Sequence, residues 1–465
     1  MKIQFFGASG GVTGSMILLS HGHLNVLIDS GQFQGTPKEE AQNFEALPFD
    51  IGKIDCMILT HAHIDHSGRI PLLVKRGFVG KIYCTPPTSH LAEILLRDSG
   101  KIHETEAAWE NKKRKRAGLT EVEPLFTEDD AIESFQYLYP VKYDHQLQLS
   151  DDMYFSFVRA GHLLGSSSVL LSYTEGNIEK KIVFSGDLGN STSLIELPPT
   201  FIGAADTVVL ESTYGNRTHE NILYRADQLV DIILETTSKG GTVLIPSFAV
   251  GRTQEIIFEL NNYIATHNGP KTMALQNVPI FLDSPLALEA TKIYQNHIDY
   301  MGRAVTAFKT PPFQMSNLHL VTSIEGSIAL NINHEPKVII SASGMCEAGR
   351  ITHHLKHNLW KHTTSVVFIG YQAEDTLGRA LQDGIKKVRI LDADVVVNAK
   401  IIDLHGFSGH ADQTHLLEWF NHIKGVSKVF INHGESDSRL TLAELIRATS
   451  DTEVILPETQ DLFKI

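Results

Sequence analysis

Short apolar segments separated by glycine-rich or polar turns make up the first part of the chain. Most are four or five residues long and read as half-buried or fully buried strands. Segments 15–19 and 24–28 flank a polar stretch at 20–23, which predicts a β-hairpin. Further strands are predicted at 56–59, 81–84, 155–158, 169–173, 181–184 and 207–210. Between residues 88 and 132 the pattern becomes helical and charged.

Beyond residue 213 the chain repeats an order of strand, loop and helix. Strand 242–245 precedes a helix at 254–260, and strand 279–282 precedes a helix at 286–294. A third strand at 338–341 leads through a glycine-rich loop into another helix. Such alternation predicts a parallel sheet flanked by helices.

Strand patterns return late in the chain, at 395–397 and 428–431. The simplest arrangement is a β-rich domain that is interrupted by an α/β insertion. We predict the first part of that domain at 1–212, the insertion at 213–385 and the last part at 386–465. The predicted fold class is therefore α/β.

The composition is that of a folded protein with an acidic balance. The chain has 465 residues, 42% hydrophobic and 20% charged, and a net charge of −14. No apolar run reaches the ~18 residues that span a bilayer, so no membrane partner is expected. Cys56, Cys84 and Cys346 are far apart and form no CxxC pair, which predicts a reducing, cytoplasmic setting. The negative charge argues mildly against nonspecific binding to nucleic acid.

The sequence His61-Ala62-His63-Ile64-Asp65-His66 directly follows a predicted strand. In an extended chain residues i and i+2 point the same way, so His61 and His63 can hold one ion. A turn at Ile64 would direct Asp65 and His66 to a second ion. Imidazole with carboxylate suits zinc, with manganese as the alternative, whereas magnesium prefers oxygen ligands. The competing interpretation is a solvated, histidine-rich loop.

Five more ligand-type residues stand just past the ends of apolar strands, where sheet folds collect their chemistry. They are Asp29, His162, Asp187, Glu211 and His433. One such position would carry little weight, but five of them beside the histidine-rich loop predict a metal centre.

Together these residues resemble the metallo-β-lactamase superfamily, and more particularly its β-CASP branch of nucleases. Three motif residues of that branch match Glu211, His410 and His433, with His410 in the sequence GFSGHAD at 406–412. Many relatives have alanine where Gly409 stands. RNA-processing members have histidine at the position of His433, whereas DNA-processing members typically have valine. The resemblance implies an αββα sandwich with an inserted α/β (β-CASP) domain, and an RNA-processing nuclease.

The resemblance also implies a role for each candidate residue. One zinc ion would be held by His61, His63 and His162, a second by Asp65, His66 and His433, and Asp187 would bridge both. Asp29 would orient ligands and water, while His410 would act as general acid with Glu211 holding its ring. A hydroxide bridging two Zn²⁺ ions would attack phosphorus and leave a 3′-hydroxyl and a 5′-phosphate.

Loops of the predicted insertion offer contacts to a substrate phosphate. The candidates are Ser247, Arg252, Ser343, Gly344 and Arg350, which lie where strands lead into helices. Ordinary turn and capping chemistry is the competing interpretation. The basic run at 112–116 could contact an RNA backbone, although a solvated helix face is the favoured interpretation.

The chain is similar to compact bacterial members of the RNA branch and to the endonuclease subunit of the eukaryotic pre-mRNA cleavage machinery. Single-stranded RNA is the expected substrate. Three alternatives stay open, namely a DNA nuclease, another hydrolase of the same fold such as a thioesterase or lactonase, and a non-catalytic scaffold. The sequence leaves undecided whether attack is endonucleolytic or exonucleolytic, and whether the protein forms a homodimer.

Overall fold

The computed structural model describes residues 1–219, 224–370, 372–373, 375–404 and 406–465. The chain divides into two compact units. The sandwich unit comprises Met1–Ser191, Pro198–Thr218 and His410–Ile465, and the insert unit comprises Thr192–Leu197 and His219–Gly409.

Two mixed sheets form the centre of the sandwich unit. The first contains, in spatial order, Leu462–Lys464 (β22), Lys2–Phe5 (β1), Ile17–His21 (β2), Leu24–Ile28 (β3), Cys56–Ile58 (β4), Lys81–Cys84 (β5) and Leu138–Pro140 (β6). The second contains Glu453–Ile455 (β21), Lys428–Ile431 (β20), Thr207–Leu210 (β11), Ile178–Phe184 (β10), Ser167–Glu175 (β9), Met153–Arg159 (β8) and Leu147–Ser150 (β7). Strands β2 and β3 form the predicted hairpin, with antiparallel register Ile17 to Ile28.

Apolar side chains from both sheets meet in one core. Phe5 and Leu19 of the first sheet pack in the same buried cluster as Phe155 and Phe430 of the second. Full burial of each such side chain contributes about 1.5–3 kcal/mol. A second cluster joins strands of the second sheet to Trp419 and other residues of two late helices. The predicted sandwich of sheets and helices is therefore present.

Helices of the sandwich unit lie mostly in the first part of the chain. They are Pro37–Ala41 (α1), Ile64–Ser67 (α2), Ile70–Lys75 (α3), Pro86–Ala117 (α4), Glu128–Ser134 (α5), Gln413–His422 (α14) and Ser436–Thr449 (α15). Short 3₁₀ turns occur at Gln42–Phe44, Ile51–Lys53 and Phe135–Tyr137. Helix α4 starts where Thr85 caps it and Pro86 occupies its first position, and it ends at the left-handed Gly118.

The insert unit contains the predicted parallel sheet. Its strands are, in spatial order, Leu318–Leu320 (β14), Ile280–Leu282 (β13), Lys337–Ser341 (β15), Thr242–Pro246 (β12), Ser365–Phe368 (β16) and Lys400–Asp403 (β19). Lys387–Ile390 (β17) and Ala393–Val396 (β18) form a separate hairpin. The helices are Arg225–Ser238 (α6), Arg252–Thr266 (α7), Pro270–Gln276 (α8), Pro285–Asn296 (α9), Arg303–Thr306 (α10), Ile324–Ile332 (α11), Arg350–Asn358 (α12) and Leu377–Gln382 (α13), with a 3₁₀ turn at Ile298–Tyr300.

The insert unit continues past residue 385, where the sequence placed its end. Strand β19 pairs in parallel with β16 from Ser365 opposite Lys400 to Phe368 opposite Asp403. Hairpin residues such as Val388 are buried in the same cluster as Leu355. These strands complete the parallel sheet and its core, and the compact unit ends at Gly409. The domain boundary at 385 stays a prediction. In the described part of the chain, every helix is too short or too polar to cross a membrane.

Candidate metal centre

Ligand-type side chains of the sandwich unit converge at one edge, where strands of both sheets end. After β4 the chain passes through Thr60, and residues 61–66 form a loop and the start of α2. His162 follows β8, Asp187 follows β10 and His433 follows β20. All seven side chains that were predicted as ligands therefore meet, although they come from distant parts of the sequence.

The first cluster consists of His61, His63, His162 and Asp187, whose ligand atoms all lie within 4.8 Å of one another. The Nδ1 atom of His63 is 3.2 Å from Nε2 of His61 and 3.1 Å from Nε2 of His162. The Oδ2 atom of Asp187 is 3.4 Å from Nε2 of His61 and 3.7 Å from Nε2 of His162. Three nitrogens and one oxygen thus lie close enough together to hold one ion.

The second cluster consists of Asp65, His66, Asp187 and His433. The Nε2 atoms of His66 and His433 are 3.0 Å apart, and Nε2 of His433 is 3.5 Å from Oδ2 of Asp65. The Oδ1 atom of Asp187 is 3.2 Å from Nε2 of His66 and 3.5 Å from Nδ1 of His433. The two carboxylate oxygens of Asp187 therefore face different clusters.

These separations fit metal coordination. Zinc–nitrogen bonds of ~2.0–2.1 Å in a tetrahedron place neighbouring ligand atoms about 3.3 Å apart. Most of the ligand-atom separations in both clusters lie close to that value. Oδ1 of Asp187 is buried and accepts no hydrogen bond from any described residue. A buried carboxylate oxygen without a donor is costly unless a cation satisfies it.

In the first cluster, electrostatics favour the protonation states that a metal ion needs. Burial lowers the pKa of His63 to about 4 and holds the pKa of His61 well below its usual value. Both imidazoles are therefore neutral at pH 7, the form that binds metal. Burial alone would raise the pKa of Asp187, but the charges of His433 and His66 outweigh it and hold that pKa well below its usual value.

Asp29 and Thr60 contact the Nδ1 atoms of two candidate ligands, His66 and His61, and so orient their rings. Nδ1 of His66 donates to Oδ2 of Asp29 at 2.7 Å, which leaves Nε2 of His66 for the cluster. Asp29 also accepts the main-chain N–H and the hydroxyl of Thr60, both at 2.8 Å, and that hydroxyl lies 3.1 Å from Nδ1 of His61. Burial alone would lower the pKa of His66, but Asp187 and Asp29 raise it well above its usual value. Binding of a cation there requires loss of a proton.

His410 and Glu211 form a pair beside the two clusters. Nδ1 of His410 is 3.3 Å from Oε1 of Glu211 and 3.9 Å from Oδ2 of Asp187. Glu211 is buried, and it also accepts the N–H groups of Leu188 at 2.7 Å and Thr213 at 3.1 Å. Burial lowers the pKa of His410, but the charge and hydrogen bond of Glu211 outweigh it and raise that pKa above its usual value. This arrangement favours a protonated imidazole.

Arg252 and Arg350, predicted as phosphate contacts, are engaged inside the insert unit. Arg252 pairs with Glu255 and donates to the main-chain carbonyl of Phe407 at 2.7 Å. Arg350 donates to the buried carboxylate of Asp283 at 2.5 Å.

The other three phosphate candidates of the insert unit, Ser247, Ser343 and Gly344, also make local contacts. The hydroxyl of Ser247 accepts from the hydroxyl of Thr253 at 3.0 Å, and a main-chain N–H donates to the Ser343 hydroxyl at 3.4 Å. A Cβ at Gly344 would meet the ring of Phe248 at 2.9 Å. Contact of these five residues with phosphate stays a prediction.

Sequence reasoning missed three contributions to the centre. Thr60 supports Asp29 and His61, and the hydroxyl of Thr213 lies 3.3 Å from Nδ1 of His433. Residues 7–14, which read GASGGVTG and form a glycine-rich turn after β1, also take part, since the Ala8 carbonyl accepts the N–H of His433 at 2.8 Å. Thr60 and Thr213 each lie within two residues of a predicted site residue, which is the one sequence signal that pointed to them.

Comparison with known proteins agrees with this geometry. The Metallo-beta-lactamase superfamily profile matches residues 9–227, the Beta-Casp domain profile matches 253–381, and the profile of the Zn-dependent metallo-hydrolase RNA specificity domain matches 394–457. The chain is 38% identical over 449 residues to Ribonuclease TTHA0252 of Thermus thermophilus, covering 96% of each chain.

Archaeal relatives and one solved structure are also similar. In Methanocaldococcus jannaschii the RNase J-like protein is 31% identical, with 93% of this chain and 92% of that protein covered. Transcription termination factor FttA of the same organism is 29% identical, with 100% of this chain and 72% of that protein covered. A protein of unknown function from Enterococcus faecalis V583 shares the fold, with a TM-score of 0.53 at 12% identity over 99% of both chains. The resemblance inferred from the sequence is confirmed: the chain belongs to the metallo-β-lactamase superfamily, and within it to the β-CASP metallo-hydrolases.

Proposed function

We propose that the protein is a zinc-dependent ribonuclease that hydrolyses phosphodiester bonds of single-stranded RNA to 3′-hydroxyl and 5′-phosphate ends. The observation that carries this proposal is the position of Asp187. One of its oxygens faces each ligand cluster, and the His410–Glu211 pair lies beside it. The similarity to Ribonuclease TTHA0252 over 96% of both chains supports RNA as the substrate.

Two Zn²⁺ ions fit the donor sets best. The nitrogen-rich cluster of His61, His63 and His162 would hold one ion, and Asp65, His66 and His433 the other, with Asp187 shared. Mn²⁺ is the alternative at the cluster with two carboxylates. When bound, such a pair of ions acidifies water to supply the nucleophile and neutralises charge on the phosphoryl oxygens.

The protein's own residues complete the reaction. His410, kept protonated by Glu211, gives its proton to the ribose 3′ oxygen as that oxygen leaves. A general acid of this kind contributes ~10²–10⁴-fold to the rate. Asp29 fixes the ring of His66 so that its Nε2 keeps one direction.

A reducing, cytoplasmic setting is part of the proposal. Cys56, Cys84 and Cys346 are all buried and free, and burial raises the pKa of the Cys56 and Cys84 thiols to about 12. Such thiols are inert and match a chain that uses no disulfide. A homodimer remains the alternative to a monomer, and sedimentation distinguishes the two.

Digestion of 5′-labelled single-stranded RNA and DNA of the same sequence tests the function. We expect the zinc-loaded protein to degrade the RNA faster, and His410→Ala to keep its zinc while losing ~10²–10⁴-fold in rate. His422→Ala is the matched control, since that exposed histidine donates to the Glu418 carbonyl of its own helix and stacks on the ring of Phe201, outside the two ligand clusters. Normal RNA turnover by His410→Ala would remove its assigned role.

The same assay separates the alternatives. Faster degradation of the DNA strand would make the protein a DNA nuclease, and hydrolysis of a thioester or lactone in preference to RNA would make it another hydrolase of this fold. Equal residual activity in Asp65→Ala would overturn the metal assignment. The ladder of labelled products distinguishes endonucleolytic from exonucleolytic attack.

A further inference from the structure

The last turns of α4 carry an exposed aromatic residue among cations. Residues 112–116 read Lys-Lys-Arg-Lys-Arg, and Trp109 precedes them by one helical turn. The Trp109 side chain is 64% exposed, which is unusual for the largest apolar residue type. Lys113 places its Nζ atom 4.1 Å from the centre of the Trp109 ring.

Trp109, Lys112, Lys113 and Arg116 share one face of the helix, and we name this set the α4 platform. At 3.6 residues per turn, the three cations lie within about 60° of Trp109 around the helix axis. All four residues are exposed.

Arg114 points elsewhere, since it donates to the carbonyl of Thr120, and Asn111 bonds to Val122 on that same opposite side. The loop at 120–122 therefore leaves the α4 platform uncovered.

This combination matches single-stranded nucleic acid. Lysine and arginine neutralise phosphates, while a flat aromatic ring stacks on a base of any sequence. A chain with a net charge of −14 repels a polyanion over most of its surface. A local run of cations therefore determines where an RNA strand binds more strongly than it would on a neutral protein. Cations at a helix C-terminus also stabilise the helix dipole, but that role does not call for an exposed tryptophan beside them.

Helix α4 connects the α4 platform to the neighbourhood of the candidate metal centre. Nε2 of His103 on α4 is 3.3 Å from Oε1 of Gln32, and the N–H of Gln32 donates to the carbonyl of Ile64, next to Asp65. From His103 the helix rises ~9 Å to Trp109 and ~20 Å to Arg116. At ~3.4 Å per stacked nucleotide, this is a span of about three to six nucleotides beyond the point where the helix meets that loop.

We propose that the α4 platform is a second binding site for single-stranded RNA, which stacks a base on Trp109 and binds phosphates through Lys112, Lys113 and Arg116. The site holds the strand several nucleotides away from the bond that is cut. This inference rests on the proposed ribonuclease function, whose substrate it would retain.

Binding of fluorescein-labelled oligouridines of 20 and 4 nucleotides to the chelator-treated protein tests the proposal, because without metal the RNA stays intact. We expect the triple variant Lys112→Gln/Lys113→Gln/Arg116→Gln to bind the 20-mer at least about tenfold more weakly. The slope of log affinity against log salt concentration should become about 2 less negative, because each of the three lost phosphate contacts contributes ~0.7 in single strands. The 4-mer should bind both proteins equally.

Trp109 supplies an independent readout. The 20-mer should quench tryptophan fluorescence in the wild type and not in Trp109→Phe, and Trp109→Ala should weaken binding by about tenfold. The matched control is Lys53→Gln/Lys239→Gln/Lys271→Gln, which removes the same charge from exposed lysines that pair with carboxylates. The control should bind the 20-mer as the wild type does.

Outcomes for the platform and for the proposed function are distinct. Unchanged affinity and salt slope in the triple variant would overturn the platform, even if the zinc-loaded protein degrades RNA normally. A weakened triple variant together with a wild-type protein that binds RNA without cutting it would support the platform and overturn the ribonuclease. With activity present, the triple variant should raise KM for the 20-mer and leave kcat unchanged.

Discussion

Arg225 holds together a buried group of charges in the insert unit. Its guanidinium donates to Oε1 of Glu259 at 2.9 and 2.5 Å, lies 3.2 Å from Oε1 of Glu255 and donates to the carbonyl of Gly406 at 2.6 Å. It also stacks 4.9 Å from the ring centre of Phe407. Arg225→Met keeps most of the volume and removes the cation, so Glu259 and Glu255 would face each other without it.

The loss of stability in Arg225→Met follows from the buried carboxylates that it leaves without their cation. Removing one partner of a buried ion pair costs about 3–5 kcal/mol, so we expect a loss of about 4 kcal/mol at pH 7. Burial, only partly offset by Arg225, already raises the pKa of Glu259, and without Arg225 that pKa rises further. A raised pKa in the folded state stabilises the fold at low pH and loses that effect as pH rises. Between pH 7 and pH 5 the stability lost in Arg225→Met, relative to the wild type, should therefore shrink. Uptake of one proton over two pH units limits this change to about 2.7 kcal/mol.

Urea denaturation at pH 7 and pH 5, following the transition of the insert unit, measures both effects. The double variant Arg225→Met/Glu259→Gln should recover about half of the loss at pH 7, because the unpaired charge is gone. Arg379→Met is the matched control, since its pair with Asp383 is exposed and should cost less than about 1 kcal/mol. A loss below about 1 kcal/mol for Arg225→Met, or a deficit that is the same at both pH values, would refute this reasoning.

Two further predictions concern carboxylates with several partners. Asp187→Asn should hold fewer than two zinc ions per chain by elemental analysis, because both clusters lose a ligand, and Asp65→Ala should keep the ion of the histidine-rich cluster. Two ions in Asp187→Asn would contradict the shared ligand. Burial alone would raise the pKa of Asp283, but hydrogen bonds led by those from His354 outweigh it and hold that pKa below its usual value. Asp283→Asn should therefore cost about 3 kcal/mol at pH 7. This cost should shrink only as the pH falls below about 3.9, the pKa of an aspartate in the unfolded chain, and then through the lower pKa of the folded state. Thermal unfolding followed as a function of pH across this acid range measures the change, and a pH-independent loss would contradict it.

The candidate ligands could be read from the sequence because their spacing reflects local geometry. The alternation of His61 and His63, and the turn before Asp65, need only the extended chain and one bend. Asp187 and His433 could be found because each lies within three residues of the end of an apolar strand, and strands that share a sheet edge bring such residues together. That these side chains meet in space was an expectation, because it depends on how the strands are arranged in the two sheets.

Other features depended on partners that no local pattern reveals. Arg252 begins a helix after a loop, which is a typical position for a phosphate contact. Its guanidinium nevertheless donates to Glu255, one turn later, and to the carbonyl of Phe407, which is distant in the sequence. Similarly, the sequence assigns residues 386–465 to the last part of the first domain, because a short strand such as β19 carries no sign of the sheet that it joins. Its parallel pairing with β16 decides its membership.

The acidic net charge takes on a different meaning once the arginines are located. Arg225, Arg252 and Arg350 are bound by carboxylates inside the insert unit, so their charges are compensated where they stand. Among the described residues no ion pair involves Lys112 or Arg116, and the pair of Lys113 with Glu110 is exposed and long, at 3.8 Å, so these cations remain available to a polyanion. A chain that is acidic overall can therefore bind RNA at a few places, provided that its uncompensated cations lie together. Because such binding depends on few phosphate contacts, its affinity should fall only moderately with salt, by about 2 in log–log slope for the platform cations.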